Sequence, residues 1–347
     1  MSGTSFDGVD AAMIETNGEG YINFIDSTFV PYTNKERKLY GSSITDNYSH
    51  ITHSINEKHI MAIKRLLQKT HIKPQSLDLI GLHGQTFSHK PEEKWSWQYI
   101  NAARFAKVFK TDIVSDFRLN DVNKGGEGAP LVPIFHVNIA KNFSKDFPLA
   151  IINIGGVCNA TIIKSDKLFL GYDIGPGNGP IDKIVSSKFS LNFDKDGEIS
   201  RKGEIDNNIG KSIISEIEKL PSKRSYDRKV LDQICIRKTI NMKAVDALAT
   251  ITKTIADLIV ARVGCHNPAK VILVGGGRKN LTLKSYLNDQ FKSKVFAAED
   301  VGWDGDSIEA QAFAYLAVRS VLGLDITFPW TTGVEDSISG GVLHSYC

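Results

Sequence analysis

Cysteine is scarce in this chain. The four thiols, Cys158, Cys235, Cys265 and Cys347, lie far apart and none sits in a CxxC pair. That argues against a thiolate metal site or a disulfide framework and reads as reduced thiols in a cytoplasmic protein. Long apolar runs are also missing: no stretch reaches the ~18–20 residues that span a bilayer, so no membrane partner is expected. No basic-then-apolar leader opens the chain. Charge of one sign is absent too, with a formal net of +3. The basic run Lys223, Arg224, Arg228 and Lys229 has no interleaved aromatic residues, so it reads as a solvated loop and no nucleic-acid partner is expected. His50 and His53 stand three apart on a predicted helix without a carboxylate or cysteine beside them, which argues against a metal site there. The chain holds no GxxxxGK[ST] and no GxGxxG opening a helix, which excludes a P-loop and argues against a dinucleotide fold. It has no short-period repeat and no low-complexity tract.

What is present suits a globular protein, with 41% hydrophobic and 23% charged residues. At 347 residues the chain exceeds the ~250–300 residues over which a single core grows, so two domains are expected. Val9 to Thr16 and Tyr21 to Val30 alternate apolar and polar residues around Asn17-Gly18, a hairpin signal. Ile44 to Lys69 carries Ile51, Ile55, Ile60, Ile63 and Leu67 at helical spacing, and Pro74 closes it. Short strands are predicted over Leu77 to Leu82 and Asp112 to Phe117, and helices over Ala102 to Lys110 and Leu131 to Ala140. Asp121 to Pro130 reads as a loop. The pattern then restarts, with a strand Leu149 to Ile154, a turn Gly155-Gly156 and a strand Val157 to Ile163. A polar stretch from Asp194 to Lys229 separates this from a helix Ala247 to Val263, a strand Val271 to Val274 and a closing helix Ser307 to Val321. Alternating strands and helices imply an α/β protein. The doubled opening, near Gly3 and near Gly155, implies two similar domains. The expected division is 1–147 and 148–347, with the last helix able to pack back on the first domain.

Three glycine-rich turns lie at strand ends: Gly3 to Gly8, Asn153 to Gly156, and Gly275 to Gly277. A small-residue turn lets backbone N–H groups approach a phosphate, although any one such turn can serve backbone geometry alone. Three together suit a nucleotide held at several points. In Gly171-Tyr-Asp-Ile-Gly-Pro-Gly-Asn-Gly-Pro-Ile-Asp182, Asp173 is expected at the end of a strand Leu168 to Leu170, before a sharp turn into a helix Ile181 to Phe189. It is placed either as a general base or as an Asx-turn or helix cap.

These segments resemble the anhydro-N-acetylmuramic acid kinase family. The matching motifs are Met1-Ser-Gly-Thr-Ser-Phe-Asp-Gly-Val-Asp10, Gly81-Leu-His-Gly-Gln-Thr-Phe-Ser-His89, Asp116-Phe-Arg118 and Gly125-Gly-Glu-Gly-Ala-Pro-Leu-Val-Pro133. Asn153-Ile-Gly-Gly-Val-Cys-Asn159, Asp173-Ile-Gly-Pro-Gly-Asn178, Gly275-Gly-Gly277 and Ile308-Glu-Ala-Gln-Ala-Phe-Ala314 complete the series in family order. The resemblance implies two duplicated actin-like (ribonuclease H-like) domains flanking an ATP cleft, a homodimer, and a role in cell-wall recycling. It also implies the reaction: hydrolytic opening of the 1,6-anhydro ring and phosphorylation of O6 by MgATP, giving N-acetylmuramic acid 6-phosphate and ADP.

Roles can be set on that chemistry. Asp173 is the expected base that deprotonates the attacking water; Glu309 suits orienting the water or hydrogen-bonding the sugar, and equally a first-turn glutamate that favours the helix dipole. Gly3, Thr4, Ser5, Phe6, Asp7, Gly8, Val9 and Asp10, with Asn153, Gly155 and Gly156, are expected on the nucleotide phosphates, and Gly275, Gly276 and Gly277 near the adenosine. Asp7 is the expected Mg²⁺ ligand, directly or through water. Arg118 matches the geometry of the lactyl carboxylate but equally suits a structural salt bridge. His83, Gln85, Gly175 and Asn178 are expected on the sugar side, with His83 and His89 serving loop structure rather than catalysis. The chain departs from the family in three places. No strand precedes Met1, which is expected to cost the first sheet its central member. Glu127 stands where Gln is common, and Gly179-Pro180 opens the helix after Asn178. The alternatives are a catalytically weak sugar- or nucleotide-binding protein and a kinase for another sugar on the same fold.

Overall fold

A computed structural model describes residues 1–3, 6–40, 44–141, 143, 146–165, 167–220, 225–292 and 294–346, with backbone alone at 44–46. Thr4, Ser5, Lys223, Arg224 and Cys347 therefore lie outside the described residues. The chain opens with β1 (Gly8–Thr16) and β2 (Ile22–Pro31), paired antiparallel. Then come α1 (Asn34–Tyr40), α2 (Ile44–Thr70), β3 (Ile80–Gly81), β4 (Gln85–Lys90), β5 (Trp95–Tyr99), α3 (Ala102–Phe109), β6 (Ile113–Ser115), α4 (Leu119–Asn123) and α5 (Pro133–Lys141). Next are β7 (Leu149–Ile154), β8 (Val157–Ser165), β9 (Leu168–Pro176), α6 (Gly179–Phe189), α7 (Asn207–Glu218), α8 (Arg228–Lys238) and α9 (Ala244–Gly264). The chain closes with β10 (Lys270–Val274), α10 (Leu281–Gln290), β11 (Val295–Ala297), α11 (Ile308–Val321) and β12 (Val342–His344).

The expected α/β class is what the elements form. They group into one unit of Met1–Asn142 with Ser307–Cys347, and a second of Phe143–Asp306. The units meet at 142/143, against the 147/148 read from the sequence, and the segment from Ser307, with the closing helix that the sequence allowed to pack back on the first domain, groups with the first unit.

In the first unit the hairpin predicted around Asn17-Gly18 forms, and α11 holds its turn. Arg319 Nη1 donates to the Gly18 carbonyl at 2.7 Å and the Tyr315 hydroxyl donates to that of Glu19 at 3.1 Å. Thr33 and Glu36 form a reciprocal cap at the start of α1, with Thr33 N donating to Glu36 Oε2 at 2.7 Å and Glu36 N to Thr33 Oγ1 at 3.2 Å. Helix α2 buries Ile51, Ile55, Ile60 and Leu67, as its spacing requires. His50 and His53 are exposed on it, and no metal-holding cluster of His, Cys, Asp or Glu occurs among the described residues. β3 and β6 are shorter than predicted; they pair parallel, and β12 adds antiparallel to β6. The β4–β5 hairpin was not predicted. Asp121 to Pro130 is not wholly a loop either, because α4 covers its start.

The second unit is a five-stranded sheet in the order β11-β10-β7-β8-β9, with β7, β10 and β11 mutually parallel and β8 and β9 antiparallel additions. Its core packs Ile152, Ile154, Ile162, Val271 and Leu273 against Leu248, Ile251, Ile255 and Ile259 of α9. The polar stretch 194–229 is not a separator. Asp206 caps α7, accepting from the N–H groups of Asn208 and Ile209 at 2.9 and 3.0 Å, and Ile213 and Ile217 are fully buried. Their four-residue spacing makes one apolar stripe inside a segment whose composition is polar. No described helix is long and apolar enough to cross a membrane.

Candidate active site

Site residues of the first unit gather around the opening turn. Ser2 Oγ, fully buried, lies 2.5 Å from Gln85 Oε1, 3.1 Å from the Tyr32 hydroxyl and 3.1 Å from the Gly8 carbonyl. Gln85 Nε2 donates to the Gly3 carbonyl at 3.1 Å. Both ends of the Gln85 amide therefore hold the turn, and a residue expected on the sugar stands as an anchor of the backbone. Phe6 has φ +54° and packs its ring against Tyr40 at 6.1 Å. Val9 points into the core and its backbone lies in the β1–β2 ladder opposite Val30. Asp7 is exposed, with Oδ1 accepting the Gly8 N–H at 2.9 Å. Asp10 and Glu309 are electrostatic neighbours of the buried Met1 amino group. Burial pulls that amine below its ordinary pKa against the raising effect of the two carboxylates.

His83 and Arg118 form a pair. The buried His83 places Nδ1 2.9 Å from the Gly84 carbonyl, so the proton is assigned to Nδ1. Nε2 then accepts from Arg118 Nε and Nη2 at 3.1 and 3.0 Å. Burial, followed by the Arg118 charge, holds His83 well below the usual histidine pKa, so the ring is neutral. Arg118 Nη1 donates to the Gly128 carbonyl at 2.6 Å, and Asp121 Oδ1 accepts the Gly128 N–H at 2.6 Å. Arg118 thus orders the Gly125–Pro133 motif. His89 Nδ1 bonds Ser96 Oγ at 2.8 Å, a structural placement across the β4–β5 hairpin.

In the second unit two of the three glycine turns meet. β7 and β10 are parallel neighbours with Val274 opposite Asn153, so both run into their turns at the same sheet edge. Ligands of open parallel sheets bind outside such carboxyl ends. Gly275 takes φ +73°, and a Cβ there would stand 2.2 Å from Asn153 Oδ1. Asn178 binds this edge together: its N–H donates to the Gly155 carbonyl at 2.7 Å and its Nδ2 to that of Ile154 at 3.2 Å. Arg278, buried behind the turn, reaches the Gly275 carbonyl at 3.0 Å while pairing with Glu299 and Asp306 at 2.6 and 2.9 Å.

Asp173 lies within β9, opposite Asn159 and two residues before Gly175; the strand, predicted to end at Asp173, runs on to Pro176. Register shifts in the β8–β9 ladder carry the pairing on to Pro176. The side chain is largely buried, and Oδ2 accepts the Tyr226 backbone N–H at 2.8 Å. Arg262 Nη1 reaches the Asp173 carbonyl at 3.3 Å and the Tyr226 hydroxyl at 3.1 Å. The Asp173 charge also adds to burial in raising the Cys158 thiol pKa. Tyr226, Arg228 and Arg262 carried no motif signal in the sequence. Arg228 was masked by its basic neighbours, and the solvated loop expected there is instead the first turn of α8.

The family model for anhydro-N-acetylmuramic acid kinase matches residues 1–345. A relative from Zymomonas mobilis with that name is 37% identical, over 99% of this chain and 98% of its own. Another so named, from Methylorubrum extorquens, is 35% identical over 99% and 97%. Among solved structures, the activator of 2-hydroxyisocaproyl-CoA dehydratase from Clostridium difficile aligns over 91% of this chain and 96% of its own, at 14% identity and a TM-score of 0.45. With a family match over nearly its whole length and relatives above one-third identity, the chain belongs to the anhydro-N-acetylmuramic acid kinases.

Proposed function

We propose that this kinase opens 1,6-anhydro-N-acetylmuramic acid with water and transfers the γ-phosphoryl group of ATP to the freed O6. The carrying observation is the meeting, in one unit, of a buried carboxylate with two glycine turns at a single sheet edge. Asp173 Oδ2 is engaged by the Tyr226 N–H. In this reading the carboxylate takes a proton from the water that attacks C1. The C1–O6 bond breaks, O6 attacks the γ-phosphorus, and ADP leaves. Phosphoryl transfer asks the protein mainly for position and charge. The Gly155–Gly156 turn is assigned to the phosphates, as is the opening turn at Gly3 and Gly8. Gly275–Gly277 are assigned to the adenosine side. Gly175 and the sugar-facing role of Glu309 follow the same reading.

Mg²⁺ fits what the first unit offers. The exposed Asp7 is a single carboxylate, and Mg²⁺ is commonly held by one or two carboxylates, waters and substrate phosphates. When bound, the ion neutralises phosphate charge. Use of ATP as phosphoryl donor supports a cytoplasmic location, and the family resemblance supports a homodimer, which sedimentation would test. The deciding assay is ADP release from MgATP with the anhydro sugar. Wild type should turn over, and Asp173→Asn should lose about 10²–10⁴-fold in kcat while still binding ATP. Equal turnover of ordinary hexoses would sink the substrate assignment.

A further inference from the structure

Arg228 sits where the two halves of this chemistry join. It opens α8, two residues after Tyr226, whose N–H holds Asp173. Its side chain runs back over the phosphate-turn glycines. A Cβ on Gly156 would stand 2.8 Å from Arg228 Nε and 2.9 Å from Cζ, and one on Gly179 would stand 3.0 Å from Nε. A side chain at Gly156 would displace the guanidinium, whereas one at Gly179 would first meet Asp232 Oδ1 at 2.4 Å. From below, the buried Asp232 fixes it, with Oδ2 3.6 Å from Arg228 Nε and 2.9 Å from Lys183 Nζ. Lys183 is the closer partner of that carboxylate, so Asp232 positions Arg228 through the looser pair.

None of the three glycine turns contains a lysine or an arginine before position 278. A transferring phosphoryl group carries charge on three oxygens that a planar guanidinium matches. Building on the kinase reading above, we propose that Arg228 is the cation that contacts the transferring phosphoryl group from the second unit. Asp173 then serves the sugar end and Arg228 the phosphate end of one short turn, 226–228.

The test compares Arg228→Gln and Arg228→Lys with wild type. Binding of ADP and of a non-hydrolysable ATP analogue is measured by calorimetry, which needs no sugar, alongside kcat. Arg228→Gln should weaken the triphosphate analogue at least about tenfold more than ADP and lower kcat by about 10²–10³-fold. Arg228→Lys should keep the fold but recover only part of either loss, because the fork geometry is gone. The double variant Arg228→Gln/Asp232→Asn should regain any lost melting temperature without regaining the triphosphate preference. Equal weakening of ADP and the triphosphate, or an unchanged kcat in Arg228→Gln, overturns the proposal. So does recovery of triphosphate preference in the double variant, which would make Arg228 only a counter-ion for Asp232. If wild type binds nucleotide with this preference but does not turn over the anhydro sugar, the substrate reading fails and the Arg228 assignment stands.

Discussion

The backbone N–H of Tyr226 lies 2.8 Å from Asp173 Oδ2 and so fixes a carboxylate from a neighbouring segment rather than from its own strand. Arg262 secures that segment, stacking over the Tyr226 ring at 5.5 Å and reaching the Asp173 carbonyl. Arg262→Leu should therefore misplace Asp173 without removing it. Small misplacements of reacting groups cost about 10- to 100-fold, and kcat should fall in that range while the ATP dissociation constant holds within about twofold, since the glycine turns are untouched. An unchanged kcat would show that the clamp is idle.

Gln85 supports the opening turn from beneath. Gln85→Leu takes from the buried Ser2 hydroxyl its shortest partner and leaves the Gly3 carbonyl only the longer bond from the Phe6 N–H at 3.4 Å. Each lost hydrogen bond nets about 0.5–1.5 kcal/mol, so with two lost urea unfolding should report a drop of about 1–3 kcal/mol. The KM for ATP should rise with it, because the turn is assigned to the phosphates. A loss of stability with an unaltered KM would separate the anchor from nucleotide binding.

Stability should fall in mild acid. His59 and His136 are fully buried and burial lowers both to about 3, and His83 lies well below the usual range. Their folded pKa values are depressed, so the unfolded chain takes up protons below about 6.5 that the folded one refuses. The stability they contribute is complete above that pH and drains away below it. Each such group costs up to about 1.4 kcal/mol per pH unit, so His59 and His136 together should remove about 3 kcal/mol between pH 7.5 and 5.5, with His83 acting in the same direction. Denaturant midpoints that stay level over this interval would contradict the buried neutral rings.

Arg278 ties the Gly275 turn to Glu299 and Asp306. Both carboxylates are about half exposed, 53% and 60%, so water re-solvates them once the arginine is gone. Arg278→Met should therefore cost only about 1–2 kcal/mol, because the Gly275 carbonyl loses the guanidinium but keeps the backbone N–H of residue 278 at 3.2 Å. Nucleotide affinity should drop as the turn loosens, in the same direction for ATP and ADP. That common shift distinguishes it from Arg228→Gln, for which the two nucleotides diverge.

The sequence exposes what is periodic or glycine-marked. The β1–β2 hairpin, α2, α9 and the β7-turn-β8 unit stand close to where alternation and helical spacing put them, because burial on one face leaves that imprint. α7 is hidden because its apolar stripe is narrow within a charged segment. β4 and β5 escape because Gln85–Tyr99 mixes His, Lys and Trp without a clean period of two. Asp173 and the glycine turns are legible from their motif. The residues that hold them are not: Tyr226 acts through its backbone, Arg262 through a carbonyl across the unit, and Gln85 through both ends of an amide. Such roles depend on three-dimensional neighbours and leave no spacing to read.

The division of the chain also sets an order of assembly. The second unit is one uninterrupted stretch, Phe143–Asp306, whereas the first needs Ser307–Cys347 as well as Met1–Asn142. α11 supplies Ala317 beside Gly81, Phe313 beside His83, and the donors that hold the β1–β2 turn. During synthesis from the N-terminus, the part made first must wait for the part made last, while the inserted middle already has every residue of its own core. A ribosome stalled once Asp306 has cleared its exit tunnel would thus carry a complete glycine-turn sheet with Asp173 in place, and an opening motif whose supporting helix had not yet emerged.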